Sequence, residues 1–151
     1  MSAPDEWVGA YFKRSEMACS CGCGRSNVDP KLIELADKVR EALGVGLQVS
    51  SAVRCKDWNK QVGGRDSSLH LPAGALHQGH ALDLTYAATV QRNPINILRL
   101  YCLLESYGRE YGPLGLGLYS GPHGGGFVHV DTRGALGLKA GRWEDFAWPR
   151  L

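Results

Sequence analysis

The sequence has no long hydrophobic run, little net charge and no sign of a targeting segment. Among its 151 residues there is no stretch of about 18 apolar residues, so we expect no membrane span. The formal charge is only +2, and basic residues are neither clustered nor interleaved with aromatic ones, which argues against nucleic-acid binding. Residues 1–7 have neither a basic nor an apolar signal region, so we expect synthesis in the cytoplasm without a secretory signal.

Cysteines are odd in number and unevenly placed, which argues against a complete disulfide framework. Three of the five fall in residues 19–24, at a spacing of two that differs from the C-x₂-C of zinc ribbons. Two interpretations stay open: reduced thiols in an irregular loop, or a disulfide or small second metal site that joins this cluster to Cys55. Cys102 lies in an apolar helical run and is expected in the core.

The composition is that of a globular protein, with 44% apolar and 21% charged residues. At this length we expect one domain with a core of its own, and a monomer. Residues 1–28 show little periodicity and are expected to form an irregular N-terminal arm. In residues 134–151 the aromatic side chains of Trp143, Phe146 and Trp148 are expected to cover an exposed sheet edge.

Helix and strand signals occur through the middle of the chain. Asp29 and Asn93 each precede a proline, which is the pattern of an N-cap followed by the first helical position. Helices are predicted from Asp29 to Gly44 and over residues 95–107, and a short helix is predicted over residues 56–62. Strands are predicted over residues 47–53, 81–86, 114–119 and 127–132. These elements predict a small α+β domain.

Two of the predicted strands carry polar residues on one face. Asp83 points away from its two leucine neighbours, and His129 and Asp131 share the face opposite two valines. A buried carboxylate costs several kcal/mol unless it is paired or bound to metal. Two interpretations stay open: Asp83 and His129 form a hydrogen-bonded pair, or they join His70 in a three-ligand zinc site with a fourth position open for water.

Four groups of residues follow the order of motifs known in one peptidase family. They are residues 11–19 (YFKRSEMAC), 51–55 (SAVRC), 59–64 with 68–70 (NKQVGG, SLH), and 117–119 with 127–133 (GLY, FVHVDTR). The chain thereby resembles the M15 family of zinc D-Ala-D-Ala and endolysin peptidases, which shares its fold with hedgehog signalling domains. The resemblance implies a hedgehog-like α+β fold: a small antiparallel sheet, helices packed on one face, and a zinc site on the sheet.

The resemblance implies that His70, Asp83 and His129 bind Zn²⁺. In the family pattern the aspartate follows the first histidine by seven residues, whereas His70 and Asp83 are thirteen apart. Six extra residues, about 72–77, are therefore expected in a loop beside the metal.

His77 is the rival first ligand, because it lies six residues before Asp83. His70 is preferred, since its distance from the glycine pair at residues 63–64 fits the family without a gap. His77 and His80 are then expected to be ordinary surface histidines of the loop.

The general base is the weakest part of the resemblance. Many relatives carry an acidic residue three positions before the last zinc histidine, and here that position is Gly126. Asp131 could be the base or, as we favour, could hold the imidazole of His129 in the required tautomer. His123, in a glycine-rich loop, is the other candidate for proton transfer, its alternative being simple solvent exposure.

The resemblance also assigns two residues to the substrate. Arg54 matches the arginine that meets a substrate carboxylate or the developing oxyanion, both of which suit the guanidinium fork. The alternative for Arg54 is a surface ion pair. Ser68 is expected to order the loop leading to His70, although relatives place this serine near the substrate.

The implied activity is hydrolysis of a peptide bond in peptidoglycan, by a D,D-carboxypeptidase or an endopeptidase that acts on the stem peptide. The expected place of action is the cell wall or periplasm, and the small size fits a phage-type lysis protein. A zinc-stabilised, non-catalytic wall-binding or structural module stays the alternative, because Gly126 replaces the acid.

Overall fold

Helices and one five-stranded sheet form the described part of the chain, which in this computed structural model is residues 4–120 and 125–145. The helices are α1 (Arg14–Met17), α2 (Pro30–Leu43), α3 (Lys56–Gln61) and α4 (Pro94–Gly108). The strands are β1 (Leu47–Ser51), β2 (Ala81–Tyr86), β3 (Gly115–Tyr119), β4 (Phe127–Asp131) and β5 (Gly141–Asp145). Short 3₁₀ helices cover Arg109–Tyr111 and Arg133–Leu136. The predicted α+β class is confirmed, and none of the helices in the described ranges is long and apolar enough to cross a membrane.

The two long helices begin where the sequence predicts. The Asp29 side chain accepts a hydrogen bond from the amide of Lys31, and Asn93 caps α4 through the amide of Asn96. Gly44 ends α2 in the left-handed conformation, with a φ of 70°. Because these signals are local, they can be read from the sequence without knowledge of any tertiary contact.

The sheet has the order β1-β2-β4-β3-β5, and only its last pair is parallel. The expected purely antiparallel sheet is therefore wrong in one respect: β5, from the tail, adds a parallel edge strand to β3. Its residues are half-buried or exposed, so backbone pairing rather than an apolar pattern holds it. Trp143 lies in this strand, while Phe146 and Trp148 lie outside the described residues.

The two faces of the sheet have different chemistry. Leucines and valines of β2, β3 and β4 are buried toward α4, which packs on β3 and β4 and in turn contacts α2. On the other face, Asp83, His129 and Gly117 are cross-strand neighbours in one row. This alternation places two polar side chains side by side, away from the helices.

Two expectations about the periphery need correction or refinement. Cys102 is exposed, not in the core, because α4 buries Ile97, Leu100 and Leu104 and leaves Cys102 on its outer side. The described part of the N-terminal arm is irregular apart from α1, yet Phe12 and Met17 are buried in the core. The arm is thus packed against the domain by its apolar residues.

Candidate active site

Three side chains converge on the polar face of the sheet. Nε2 of His70 lies 3.2 Å from Oδ1 of Asp83, and Nδ1 of His129 lies 3.0 Å from the same oxygen. The three potential ligand atoms are all within 4.8 Å of one another. Asp83 comes from β2, His129 from β4, and His70 from the loop that precedes β2. This His-Asp-His cluster could hold a metal ion.

Each histidine ring is held by its other nitrogen. Nδ1–H of His70 donates to the carbonyl oxygen of Ala52 at 2.6 Å. A carbonyl can only accept, so when the His70 ring is neutral its lone pair is on Nε2, which faces Asp83. Likewise Nε2 of His129 lies 2.8 Å from Oδ2 of Asp131, and a proton on Nε2 leaves Nδ1 free to face Asp83. In the neutral form of each ring, which is the form that binds metal, the nitrogen with the lone pair is therefore the one that faces the centre of the cluster.

Asp131 is fully buried and receives several hydrogen bonds. Its Oδ1 accepts from the amide of Gly115 at 3.1 Å and from Nε of Arg133 at 2.8 Å. Burial would raise its pKa, but the hydrogen bonds from Arg133 and His129 outweigh burial and hold the pKa of Asp131 well below its usual range. A carboxylate so occupied is better suited to orienting His129 than to accepting a proton from water.

The pKa values of Asp83 and His129 are shifted because the two groups interact with each other and with their neighbours. Burial would raise the pKa of Asp83, but the charges and hydrogen bonds of His70 and His129 hold it well below its usual range. Burial would lower the pKa of His129, yet the hydrogen bonds to Asp131 and Asp83 raise it to about 9. Without metal, His129 is therefore positively charged at neutral pH, with a second proton on the Nδ1 that faces Asp83, and a metal ion must displace that second proton.

Arg54 lies beside the cluster and is mostly buried. Its Nε donates to Oγ of Ser51 at 3.0 Å, and Nη1 donates to Oδ1 of Asn59 at 3.3 Å. Nη2 lies 3.5 Å from Oδ2 of Asp83. The ion-pair alternative is therefore realised, but within the site and not at the surface, and the guanidinium also lines the cleft.

The cluster opens into a cleft of about 750 Å³. One wall is the loop of residues 63–69, in which Oγ of Ser68 accepts a 3.3 Å hydrogen bond from the amide of His70, the loop-ordering role expected for it. The other wall is aromatic: Tyr119 stacks on Phe127, and Trp143 Nε1 donates to the Tyr119 hydroxyl at 2.6 Å.

Trp143 is one of the cleft residues that the sequence did not predict, and it lies next to a proposed ligand. Its ring centroid lies 5.3 Å from that of His129, so it covers the imidazole from the cleft side. The sequence predicts for this side chain only that it covers an exposed sheet edge. The available signal was weak, because it required β5 to be recognised as a strand pairing with β3.

Gly126 faces away from the cluster. Its φ is 77°, and a Cβ at this position would lie 2.9 Å from the Ile97 side chain of α4. A side chain here would thus point toward the helices, so the position lacks both the acidic residue and the direction that a base would need. Of the cleft-lining residues in the described ranges, only Asp83 and Asp131 are acidic.

The remaining histidines take different positions. His77 is exposed and lies outside the cleft, in agreement with a surface role. His80 is buried, contrary to expectation: its Nδ1 lies 3.2 Å from Oγ1 of Thr132, which donates to Asp29 at 2.7 Å. His80 thus belongs to a polar link between β4 and the start of α2. His123 lies outside the described residues.

The six-residue insertion does not line the cleft, contrary to expectation. Ala73 and Gln78 pair through both backbone hydrogen bonds, at 3.0 and 3.2 Å, so the loop folds on itself. The amide of His80 donates to the carbonyl of Leu69 at 2.8 Å, which closes the base of the excursion. Asn27 of the arm donates to the carbonyl of Leu76, drawing the tip toward the arm.

Comparison with known proteins agrees with this geometry at the level of the family. The Peptidase M15 family model matches residues 10–131, a range that includes the whole His-Asp-His cluster. Searches of curated proteins and of solved structures give no significant match. M15 peptidases are generally metal-dependent, and the cluster could bind a metal. Because the match spans most of the sequence, the chain belongs to the M15 family of peptidases.

Proposed function

We propose that the chain is a single-domain, zinc-dependent peptidase that hydrolyses a peptide bond in peptidoglycan. The observation that carries the proposal is the convergence of two imidazole nitrogens and one carboxylate oxygen at the floor of an open cleft. The donor set fits zinc. Ligands about 2.0–2.1 Å from a tetrahedral zinc lie about 3.3 Å apart, close to the 3.0 and 3.2 Å separations of the cluster.

The protein's own residues divide the work. His70, Asp83 and His129 would hold the ion, which when bound would lower the pKa of its water to about 7 and polarise the scissile carbonyl. Asp131 keeps a proton on Nε2 of His129 and so keeps Nδ1 available. Arg54, oriented by Ser51 and Asn59, donates to the carbonyl oxygen as that oxygen gains negative charge, or to a substrate carboxylate.

The substrate class rests on the family resemblance and on the cleft lining. Peptidoglycan stem peptides carry carboxylates, and the cleft offers the guanidinium groups of Arg54 and Arg65 together with an aromatic wall. We assign the activity to a D,D-carboxypeptidase or endopeptidase that acts as a monomer at the cell wall or periplasm.

Proton transfer needs a group other than the missing acid. Asp131 is occupied by Arg133 and His129, so we assign it to positioning. His123 remains the candidate for proton transfer. A His123→Ala variant that binds metal normally but loses turnover supports this role, and full activity of that variant contradicts it.

A second candidate function is a zinc-stabilised wall-binding module without catalysis. The observation that favours it is at Gly126, where a Cβ would point toward Ile97 and away from the cluster, so this position supplies no acidic group to the cleft. Wall binding and wall cleavage separate the two functions. A module binds the wall but shows no cleavage in the wild type, whereas a peptidase cleaves the wall as wild type and loses cleavage in His129→Ala.

The deciding experiment measures new amino groups released from purified peptidoglycan. We expect release by the wild type, loss of release with a chelator, and recovery with added zinc. His129→Ala should abolish release, while His77→Ala, at an exposed position outside the cleft, should not. A wild-type protein that holds zinc at the His-Asp-His cluster but releases no amino groups contradicts the proposal.

A further inference from the structure

Four cysteine side chains converge at a second place, and none of the four lines the cleft. The Sγ atoms of Cys19, Cys21, Cys23 and Cys55 all lie within 4.8 Å of one another. Cys21 is 3.4 Å from Cys19 and 3.6 Å from Cys55, sulfur to sulfur. In a tetrahedral site with zinc–sulfur bonds of about 2.3 Å, the sulfur atoms lie about 3.8 Å apart. The four thiols are therefore spaced as the ligands of one ion would be.

Two glycines allow cysteines that are only two residues apart to point their sulfur atoms at one centre. Gly22 and Gly24 follow Cys21 and Cys23 directly and adopt left-handed φ values of 85° and 84°. The loop is closed at its base, where the amide of Cys19 donates to the carbonyl of Arg25 at 2.8 Å. A residue with a side chain would be strained at either glycine, so the turns depend on these positions.

Backbone amides point at two of the sulfurs. The amide of Cys55 donates to Sγ of Cys19 at 3.3 Å, and the amide of Trp58 donates to Sγ of Cys55 at 3.4 Å. Hydrogen bonds of this kind stabilise a sulfur that carries negative charge, as a metal-bound thiolate does. They also orient the two side chains toward the shared centre.

We propose that these four cysteines form a closed structural metal site, separate from the catalytic cluster, that binds Zn²⁺. Four thiolates in a tetrahedral arrangement select zinc, or iron in the absence of zinc, over hard cations. All four positions are taken by protein, so the ion has a structural and not a catalytic task. In this proposal the second interpretation of the cysteine-rich loop holds, with a metal ion and not a disulfide joining the loop to Cys55.

The site would fasten the N-terminal arm to the wall of the cleft. Cys55 follows Arg54 directly, and the amide of Val53 donates to the carbonyl of Met17 in the arm at 3.3 Å. A metal ion that joins Cys55 to the loop of residues 19–24 holds both segments together. Loss of the ion is therefore expected to lower the melting temperature and to loosen the segment that carries Arg54.

The test counts metal ions and identifies their ligands in protein purified under reducing conditions. We expect two zinc ions per chain in the wild type and one in His129→Ala, the latter with sulfur ligands at about 2.3 Å by X-ray absorption. Cobalt substitution of His129→Ala should give sulfur-to-cobalt charge-transfer absorption. Cys102→Ser, at an exposed thiol outside the cluster, should retain both ions.

Several outcomes would overturn the proposal. They are a His129→Ala protein without metal, an ion bound there by nitrogen and oxygen only, and a native mass that shows disulfides among the four cysteines under the same conditions. Because His129→Ala leaves all four thiols in place, the result does not depend on whether a cysteine variant folds. Peptidase activity is not measured, so failure of the proposed reaction leaves this test intact.

Discussion

His129 donates from Nε2 to Oδ2 of Asp131, a residue two positions further along the same strand, at 2.8 Å. Because alternate residues of β4 share a face, the strand itself delivers the ring and the carboxylate that orients it. Asp131 in turn is fixed by Arg133 and by the amide of Gly115. The orientation of one proposed ligand is thus built into five consecutive residues and the neighbouring strand.

Asp131→Asn should weaken metal binding at the cluster. An amide cannot enforce the proton on Nε2 of His129 as a carboxylate does, so we expect a loss of about 10–100-fold in zinc affinity. Competition with a coloured chelator measures this zinc affinity. The zinc held by the four cysteines is measured separately in His129→Ala and subtracted. Asp57→Asn, at an exposed carboxylate on α3, is the matched control. Unchanged affinity in Asp131→Asn would remove Asp131 from the site.

His70→Ala should abolish both metal binding at the cluster and peptidase activity. The side chain is buried and its Nε2 faces Asp83, so no neighbouring group can take its place without rearrangement. His77→Ala should leave both properties at wild-type levels, because His77 is exposed and outside the cleft. The reverse pattern would make His77 the first ligand.

Arg54→Lys should lower kcat/KM by about 10²–10³-fold, the usual effect of removing one oxyanion donor. Lysine keeps the charge but loses the fork that Ser51 and Asn59 orient. A loss in kcat indicates a role at the developing oxyanion, and a rise in KM indicates a substrate carboxylate. Arg109→Lys, at an exposed position, serves as control. Wild-type kinetics in Arg54→Lys would leave the residue only its ion pair with Asp83.

The stability of the metal-free protein should fall as pH rises from about 6.5 to about 9. The folded-state pKa of His129 is raised from 6.5 to about 9, so its protonated form contributes fully below 6.5 and the contribution disappears as pH approaches 9. The shift corresponds to about 3 kcal/mol. Urea unfolding of chelated protein across this range measures it.

His129→Gln provides the comparison for the pH series, since the glutamine side chain does not ionise in this pH range. Its stability should be flat over the same interval, and an equal slope in both proteins would assign the effect to another group. With zinc present the dependence should reverse, because deprotonation of His129 now favours the bound state.

Local signals in the sequence were sufficient for the helices and for the polar face of the sheet. The N-cap and proline pairs at Asp29 and Asn93 place the starts of α2 and α4, since capping involves only neighbouring residues. Strand alternation places Asp83 and His129 on one face. The M15 assignment came from the order of several motifs, and the family match confirms it.

The errors concern features that depend on distant partners. β5 is held by its parallel pairing with β3, and its own sequence has little apolar pattern. The burial of His80 depends on Thr132, far along the chain. Cys102 lies in a helix with apolar residues on several sides, so periodicity alone could not decide its exposure.

The excursion between His70 and Asp83 has a consequence for how such sites are recognised. It begins and ends at one backbone hydrogen bond, from His80 to Leu69, and its own pairing between Ala73 and Gln78 is complete. Chain length can therefore be added or removed beyond that bond while the two ends stay in place. The closed base of the loop, and not the number of residues between them, holds this histidine and aspartate in position, so a sequence pattern with a fixed interval between the two would miss a chain with this arrangement.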